Sequence, residues 1–216
     1  MKAIVISGSE RRFGITSHVS EKTEFYLSKL GVSTKVIYLN EVNFTPCNSC
    51  GSGHVSCNYR EAPCEKDDDI KMIINQMVAS NIIIYACPVH AFGIAHLMQN
   101  FLERAGVGYL RFNRPLANKV GGCIIVGRKY HLGHAHDQIV NNMLLNRMII
   151  PGSGFPVLLH GDEKNKSISD TEEMVALEQM IARLVEVCSS IDSSSFNQNW
   201  DNERVLKEKK DKNNDQ

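Results

Sequence analysis

Five short apolar runs, set apart by helix-patterned segments, predict an α/β fold: a doubly wound sheet of five parallel strands with helices on both faces. Two observations carry that class. The runs are solidly apolar rather than alternating, as strands covered on both sides must be. The segments between them repeat apolar residues at i, i+3, i+4 and i+7, the spacing of one helix face. The chain has 216 residues, 43% of them hydrophobic. That is enough to bury one sizeable core, so a single domain is expected over residues 1–192.

The first run, "AIVIS" (3–7), leads through "SGSERRFGITSH" (7–18) into a helix-like stretch, and "TKVIYL" (34–39) follows as the second strand. The aspartates of "DDD" (67–69) suit a helix N-terminus, with Ile70, Ile73, Ile74 and Met77 as the apolar face behind them. "NIIIYACP" (81–88) is the third strand. Ile94, Leu97, Met98, Phe101, Leu102 and Ala105 then form one continuous helical stripe. "KVGGCIIVG" (119–127) and "FPVLLH" (155–160) complete the five strands. The capping-box pattern "SDTE" (169–172) opens a last helix carrying Met174, Leu177, Ile181, Leu184 and Cys188. No internal repeat is evident. From about Ser193 the chain turns polar and charged, which predicts a solvated, disordered tail over 193–216.

Lys and Arg together number 24, as do Asp and Glu, so net charge recruits neither nucleic acid nor an anionic membrane. No stretch approaches the length of a membrane span, and the apolar run behind Lys2 is too short for a signal peptide. A cytoplasmic protein is expected, in which seven cysteines are reduced, metal-binding or redox-active rather than structural disulfides.

The loop after the first strand points to an anion. In an open parallel sheet, ligands bind beyond the carboxyl ends of the strands where the strand order reverses, and the first strand borders that point. A helix N-terminus there offers free N–H groups and a favourable dipole to a phosphate. Ser9, Thr16 and Ser17 add hydroxyls, Arg11 or Arg12 a guanidinium, and Gly14 a tight turn. Two familiar phosphate motifs fail on spacing. There is no G-x-G-x-x-G, and Ile15 and Thr16 stand where a P-loop needs Lys followed by Ser or Thr.

Taken with "ACPVHAFGIAHLMQNFLERAG" (86–106), this loop resembles the NADPH-dependent FMN reductase and iron–sulfur flavoprotein families of flavodoxin-like proteins. Those families carry a G-S-P-R-x-x-G-N-T/S loop and an S-P-V-Y-F-G-x-x-S/A segment, the latter followed by an apolar helix ending F-[IL]-D-R. Ser9, Arg11, Gly14, Thr16, Pro88, Val89, Phe92, Gly93, Phe101 and Arg104 match by position. Glu10 replaces the proline, Ile15 the asparagine, Cys87 the serine and His90 the aromatic. The resemblance covers about residues 1–160 and implies a flavodoxin-like fold of strand order 2-1-3-4-5. It also implies FMN, with its phosphate on Ser9, Arg11, Gly14, Ile15, Thr16 and Ser17. The isoalloxazine would lie against Pro88, Val89, His90, Phe92, Gly93 and Ile94, with Gly127 and Arg128 reaching the pyrimidine end of the ring. NAD(P)H as hydride donor rests on the resemblance alone.

"VGRKYHLGHAHDQ" (126–138) places His131, His134, His136 and Asp137 in one loop. Their spacings are compatible with a metal, but also with substrate binding, proton delivery or simple solvation. His90 and His134 are the candidate catalytic side chains. "PCNSCGSGHVSCNYREAPCEKDDD" (46–69) gathers Cys47, Cys50, Cys57 and Cys64. Iron–sulfur flavoproteins carry a compact C-x2-C-x2-C-x4–7-C motif at this point; here Gly53 falls where the third cysteine is expected, and Cys57 comes four residues later. A [4Fe–4S] cluster, zinc, a redox dithiol and free thiols all remain open. The favoured expectation is FMN without stoichiometric iron, with the four thiols at the rim of the flavin pocket. Cys123 and Cys188 lie on apolar faces, as core residues do.

The leading function is an FMN-dependent oxidoreductase passing hydride or electrons from NAD(P)H to a small-molecule acceptor. The alternatives are an iron–sulfur flavoprotein and a flavodoxin-type carrier. The balanced charge and the lack of a T-x-T/S-G-x-T loop speak against the carrier. A homodimer, or a tetramer built from it, is expected to form across the flavin edge, with the helix from Ile94 near the interface.

Overall fold

The computed structural model describes residues 1–47, 64, 66–106, 114–162, 167–168, 170–191 and 196. The tail beyond Ser193 lies outside them but for Phe196. In chain order the elements are β1 (Lys2–Ser7), α1 (Ile15–Lys29), β2 (Ser33–Tyr38), α2 (Ile70–Val78), β3 (Ile82–His90), β4 (Gly93–Ile94), α3 (His96–Gly106), β5 (Val120–Gly127), α4 (Leu132–Leu145), β6 (Val157–Asp162), β7 (Ser167–Ile168) and α5 (Thr171–Ser190).

The five long strands are parallel, as the alternating apolar runs predict, and their order β2-β1-β3-β5-β6 is the one that the family resemblance implies. Val5 pairs with Val36 on one side and Ile84 on the other, and Ile84 pairs onward with Gly122. Each apolar run divides between two cores because successive side chains leave a strand on opposite faces. Ile4, Ile6, Ile83 and Tyr85 pack under α2, α3 and α4 with Ile73, Met77, Phe101 and Met143. Ala3, Val5, Ile82 and Ile84 pack under α1 and α5 with Val19, Leu27, Leu177 and Leu184. No helix among the described residues is long and apolar enough to cross a membrane.

The structure departs from the sequence reading at three element ends. Ile94 does not begin α3. It pairs with Val89 in the two-residue antiparallel strand β4, because Ala91 and Phe92 turn the chain back with φ of 46° and 66°. That turn places two L-residues in the left-handed region, a strain of about 1–3 kcal/mol each that persists only under constraint from the surroundings. The cap of α5 is Asp170, whose carboxylate accepts the N–H groups of Glu172 (2.9 Å) and Glu173 (3.3 Å). The capping box read over 169–172 is therefore displaced by one residue. Glu173, which a capping box would turn back on its own helix, instead accepts the N–H of His160 at 2.7 Å and ties α5 to β6. α4 starts at Leu132, so His134, His136 and Asp137 stand on a helix and not in the loop read over 126–138. At α2 the aspartates serve the helix start as read: Asp68 accepts the Ile70 N–H (3.2 Å), while the Asp69 carboxylate takes the Asn43 N–H (2.6 Å).

Candidate functional site

A cleft of about 580 Å³ opens at the carboxyl ends of β1, β3, β5 and β6. It sits where the strand order reverses on either side of β1, the position that this architecture reserves for ligands. Its walls are the loop from Ser9 to Thr16, the end of β3 from Pro88 to His90, the end of β5 from Val126 to Arg128, and Gly161 on β6.

The first loop is built around the Arg11 carbonyl. That oxygen accepts the Gly14 N–H (3.0 Å), the Ser9 hydroxyl (2.9 Å) and the Ser17 hydroxyl (2.9 Å). Ser9 Oγ in turn accepts the Arg11 N–H at 3.1 Å. The hydroxyl protons of Ser9 and Ser17 are thus committed to the loop's own shape, and Ser17 is buried and does not line the cleft. Gly14 caps α1 with extended backbone, no side chain caps the helix, and no acidic residue stands in its first turn. The N–H groups that begin a helix have no intrahelical partners. Here they open beside Thr16 and Arg11 at the cleft, with the positive end of the helix dipole behind them. Arg12 also lines the cleft, but its guanidinium is engaged: it pairs with Glu41 (2.6 Å) and Glu21 (3.0 Å) and lies 3.7 Å over the Tyr38 ring.

The second wall is narrower than the sequence implied. Pro88, Val89 and His90 line the cleft. Phe92, Gly93 and Ile94 do not: Phe92 is exposed at the hairpin tip with its ring edge against His131, Gly93 pairs with His90, and Ile94 is in the core. The Ile94 N–H donates to Gln138 on α4 at 3.1 Å. Cys87, just before this wall, is fully enclosed, and burial pushes its thiol up to about 12. Burial likewise raises the thiol of Cys123. Both are therefore expected to resist alkylation by iodoacetamide at pH 8 in the folded protein, while exposed Cys47 reacts. Peptide mass mapping checks this, and labelling of Cys87 without unfolding would contradict the burial.

On the third wall, Gly127 and Arg128 line the cleft. A Cβ on Gly127 would meet Leu132 Cδ1 at 2.9 Å and Leu132 Cγ at 3.2 Å, so glycine lets the start of α4 pack closely against the end of β5. His131 and His134 stand outside the cleft with their rings edge-to-face, centroids 6.3 Å apart, and His136 faces Asp137 at 3.6 Å. Among the described residues, no three His, Cys, Asp or Glu side chains are grouped as metal ligands.

Of the cysteine loop, Cys50 and Cys57 lie outside the described residues. Cys47 is exposed and Cys64 half-buried, and neither lines the cleft. The two ends of this loop are stitched together. Asn43 and Asp69 exchange two hydrogen bonds, Lys66 donates to Thr45 Oγ1 (3.1 Å), and buried Arg104 bridges the Thr45 carbonyl and the Asp68 carboxylate (2.8 Å).

Sequence reasoning passed over Glu10, Phe13, Val126 and Gly161 as cleft residues. Gly161 was findable, since it ends the fifth parallel strand at the ligand-binding edge. Phe13 and Val126 carry no local sign of where they point.

The comparisons agree with this geometry. The chain is 31% identical over 163 residues to an iron–sulfur flavoprotein of Methanocaldococcus jannaschii, covering 74% of this chain and 81% of the relative. Among solved structures, RosB with a bound 8-demethyl-8-formylriboflavin-5'-phosphate intermediate superposes with a TM-score of 0.75 at 14% identity, over 100% of this chain and 87% of that one. FerB, a flavoenzyme NAD(P)H:(acceptor) oxidoreductase from Paracoccus denitrificans, has a TM-score of 0.64 at 9% identity, over 88% and 97%. At these identities the superpositions establish the fold. The family model for NADPH-dependent FMN reductase matches residues 1–162, the whole span that builds the cleft. The chain belongs to the NADPH-dependent FMN reductase family, and it is an FMN-binding oxidoreductase on the flavodoxin-like fold.

Proposed function

We propose that the protein takes reducing equivalents from NAD(P)H and passes them to a small-molecule acceptor through FMN held in this cleft. The uncapped first turn of α1, free of acidic residues and opening into the cleft, carries the reading. The donors suit a phosphate, and the volume is in the range of about 300–1,000 Å³ typical of ligand sites. Thr16, Arg11 and the first N–H groups of α1 would hold the phosphate. Pro88, Val89, Gly127 and Arg128 would flank the ring. When bound, FMN supplies the two-electron chemistry, and the chain's part is to orient it and hold charge and protons near it. His90 stays a candidate catalytic side chain because it lines the cleft; His134, in the first turn of α4, stands outside it. Phe13, Phe92 and Tyr130 are exposed on the loops of this edge, which supports a homodimer closing over the cleft.

A second reading, an iron–sulfur flavoprotein, is favoured by the name of the 31% identical relative and by the stitched base of the cysteine loop. Anaerobic purification followed by a visible spectrum, iron and sulfide assays and mixing with NADH or NADPH tests both. Flavin bands bleached by a nicotinamide, without stoichiometric iron, support the first reading. About four irons per chain, lost in Cys47→Ser/Cys50→Ser, would put the second first. A colourless protein that takes up no added FMN would overturn both.

A further inference from the structure

Glu10 and His90 are both departures from the family motif, lying far apart in the chain, and the fold brings them together. His90 Nδ1 lies 3.2 Å from Glu10 Oε1, and His96 Nδ1 lies 3.0 Å from the same oxygen. Glu10 Oε1 is enclosed, and no hydrogen bond of regular angle satisfies it, although both ring nitrogens are within reach by distance. Distance decides here, because a modest turn of an imidazole brings its N–H onto the oxygen. A buried carboxylate oxygen without a donor costs about 1–3 kcal/mol or more, which favours an Nδ1–H on both rings. With Nδ1 committed to Glu10, Nε2 is the nitrogen each ring has left to offer.

Exposure is graded along the three side chains. That of His96 is 68% exposed, that of His90 45% and that of Glu10 25%. His96 stands at the solvent side as the first residue of α3, while Glu10 and His90 line the cleft. The geometry points to a proton path that ends on His90: Glu10 accepts the His90 Nδ1–H and so favours the protonated ring, whose Nε2–H supplies the proton consumed when an acceptor in the cleft is reduced by two electrons. This rests on the proposed oxidoreductase function. For a quinone Q the balance is NAD(P)H + H⁺ + Q → NAD(P)⁺ + QH₂. The nicotinamide gives two electrons and one proton, protonated His90 gives the second proton from Nε2, and the neutral Nδ1–H ring left on Glu10 regains it from water. With ferricyanide the balance is NAD(P)H + 2 Fe(CN)₆³⁻ → NAD(P)⁺ + H⁺ + 2 Fe(CN)₆⁴⁻, and no proton is delivered to the acceptor.

Two measurements test the path. In ¹⁵N-labelled protein without FMN, two-bond ¹H–¹⁵N couplings report which ring nitrogen carries the proton. Native His90 and His96 are expected in the Nδ1–H form, and Glu10→Ala is expected to return both to the Nε2–H form that free imidazole prefers. In dithionite-reduced, FMN-loaded protein mixed with menadione or with ferricyanide, the ratio of the two reoxidation rates is read. It is expected to fall by about 10²-fold in Glu10→Ala and in His90→Ala, the scale of general acid catalysis. Added imidazole should restore much of it in His90→Ala. Lost packing or weaker cofactor binding would slow both acceptors together and leave the ratio unchanged, and that result overturns the path. Nε2–H rings in the native protein overturn it as well. Failure of the native protein to bind FMN would instead sink the functional reading, while the couplings still decide whether both rings donate to Glu10.

Discussion

Thr16→Asp is expected to weaken FMN binding by about 10²- to 10³-fold while leaving the fold intact. The side chain sits in the first turn of α1 at the cleft wall, where no capping group competes for the open N–H donors. A carboxylate there would take up those donors itself. It would also face the phosphate at contact distance, a repulsion of about 4 kcal/mol at an effective dielectric constant near 20. The same charge at a helix N-terminus favours the helix by about 0.3–1 kcal/mol, so stability and affinity should move in opposite directions. Because Thr16 is nearly enclosed, that gain is reduced by desolvation, and the ligand-free protein is expected to melt close to the native temperature. Fluorescence titration with FMN and circular dichroism of the ligand-free variant give the two readings. Undiminished flavin affinity would remove this loop from the site.

Arg104→Leu should lower stability by about 3–5 kcal/mol, read as a shift of the urea midpoint. The Arg104 and Asp68 side chains are 2% and 7% exposed and meet at 2.8 Å. Removing the cation leaves a buried carboxylate unpaired and strips a donor from the Thr45 carbonyl. Breaking such a pair on one side is far more damaging than replacing both partners by apolar groups. Arg104→Leu/Asp68→Leu is therefore expected to recover most of the loss, although the Ile70 N–H also loses its acceptor. A single variant within about 1 kcal/mol of native would mean that water reaches the pair. The fold-level consequence is local. Arg104 belongs to α3 yet clasps the chain just before Cys47 and just after Cys64, so the variant should also release the base of the cysteine loop. Faster hydrogen exchange at Asn43 and Asp69 would register that release.

Hydrophobic pattern is a local property, and the order of the fold was legible in it. "AIVIS" and "NIIIYACP" are apolar on both sides of the pleat, which only a strand between two helical layers needs. The stripe through Met98, Phe101, Leu102 and Ala105 has one face because only one face of α3 meets the sheet. The place of the cleft followed in turn, since a parallel sheet has one edge where helix N-termini converge on a reversal of strand order. Thr16 and Arg11 could therefore be named for the site from their positions, while Pro88, Val89 and Gly127 were named through the family resemblance. What a side chain in a loop turns toward is not a local property. Ser9 and Ser17 look like ligand donors until the Arg11 carbonyl is found between them. Phe92 looks like a wall of the cleft until two left-handed residues carry it out onto the rim against His131. The meeting of Glu10 with His90 and His96 needs β1 beside β3, the turn into β4, and the start of α3 to be placed at once. No stretch of sequence holds that information, because each of those groups finds its partner only after the sheet has brought distant loops to the same edge.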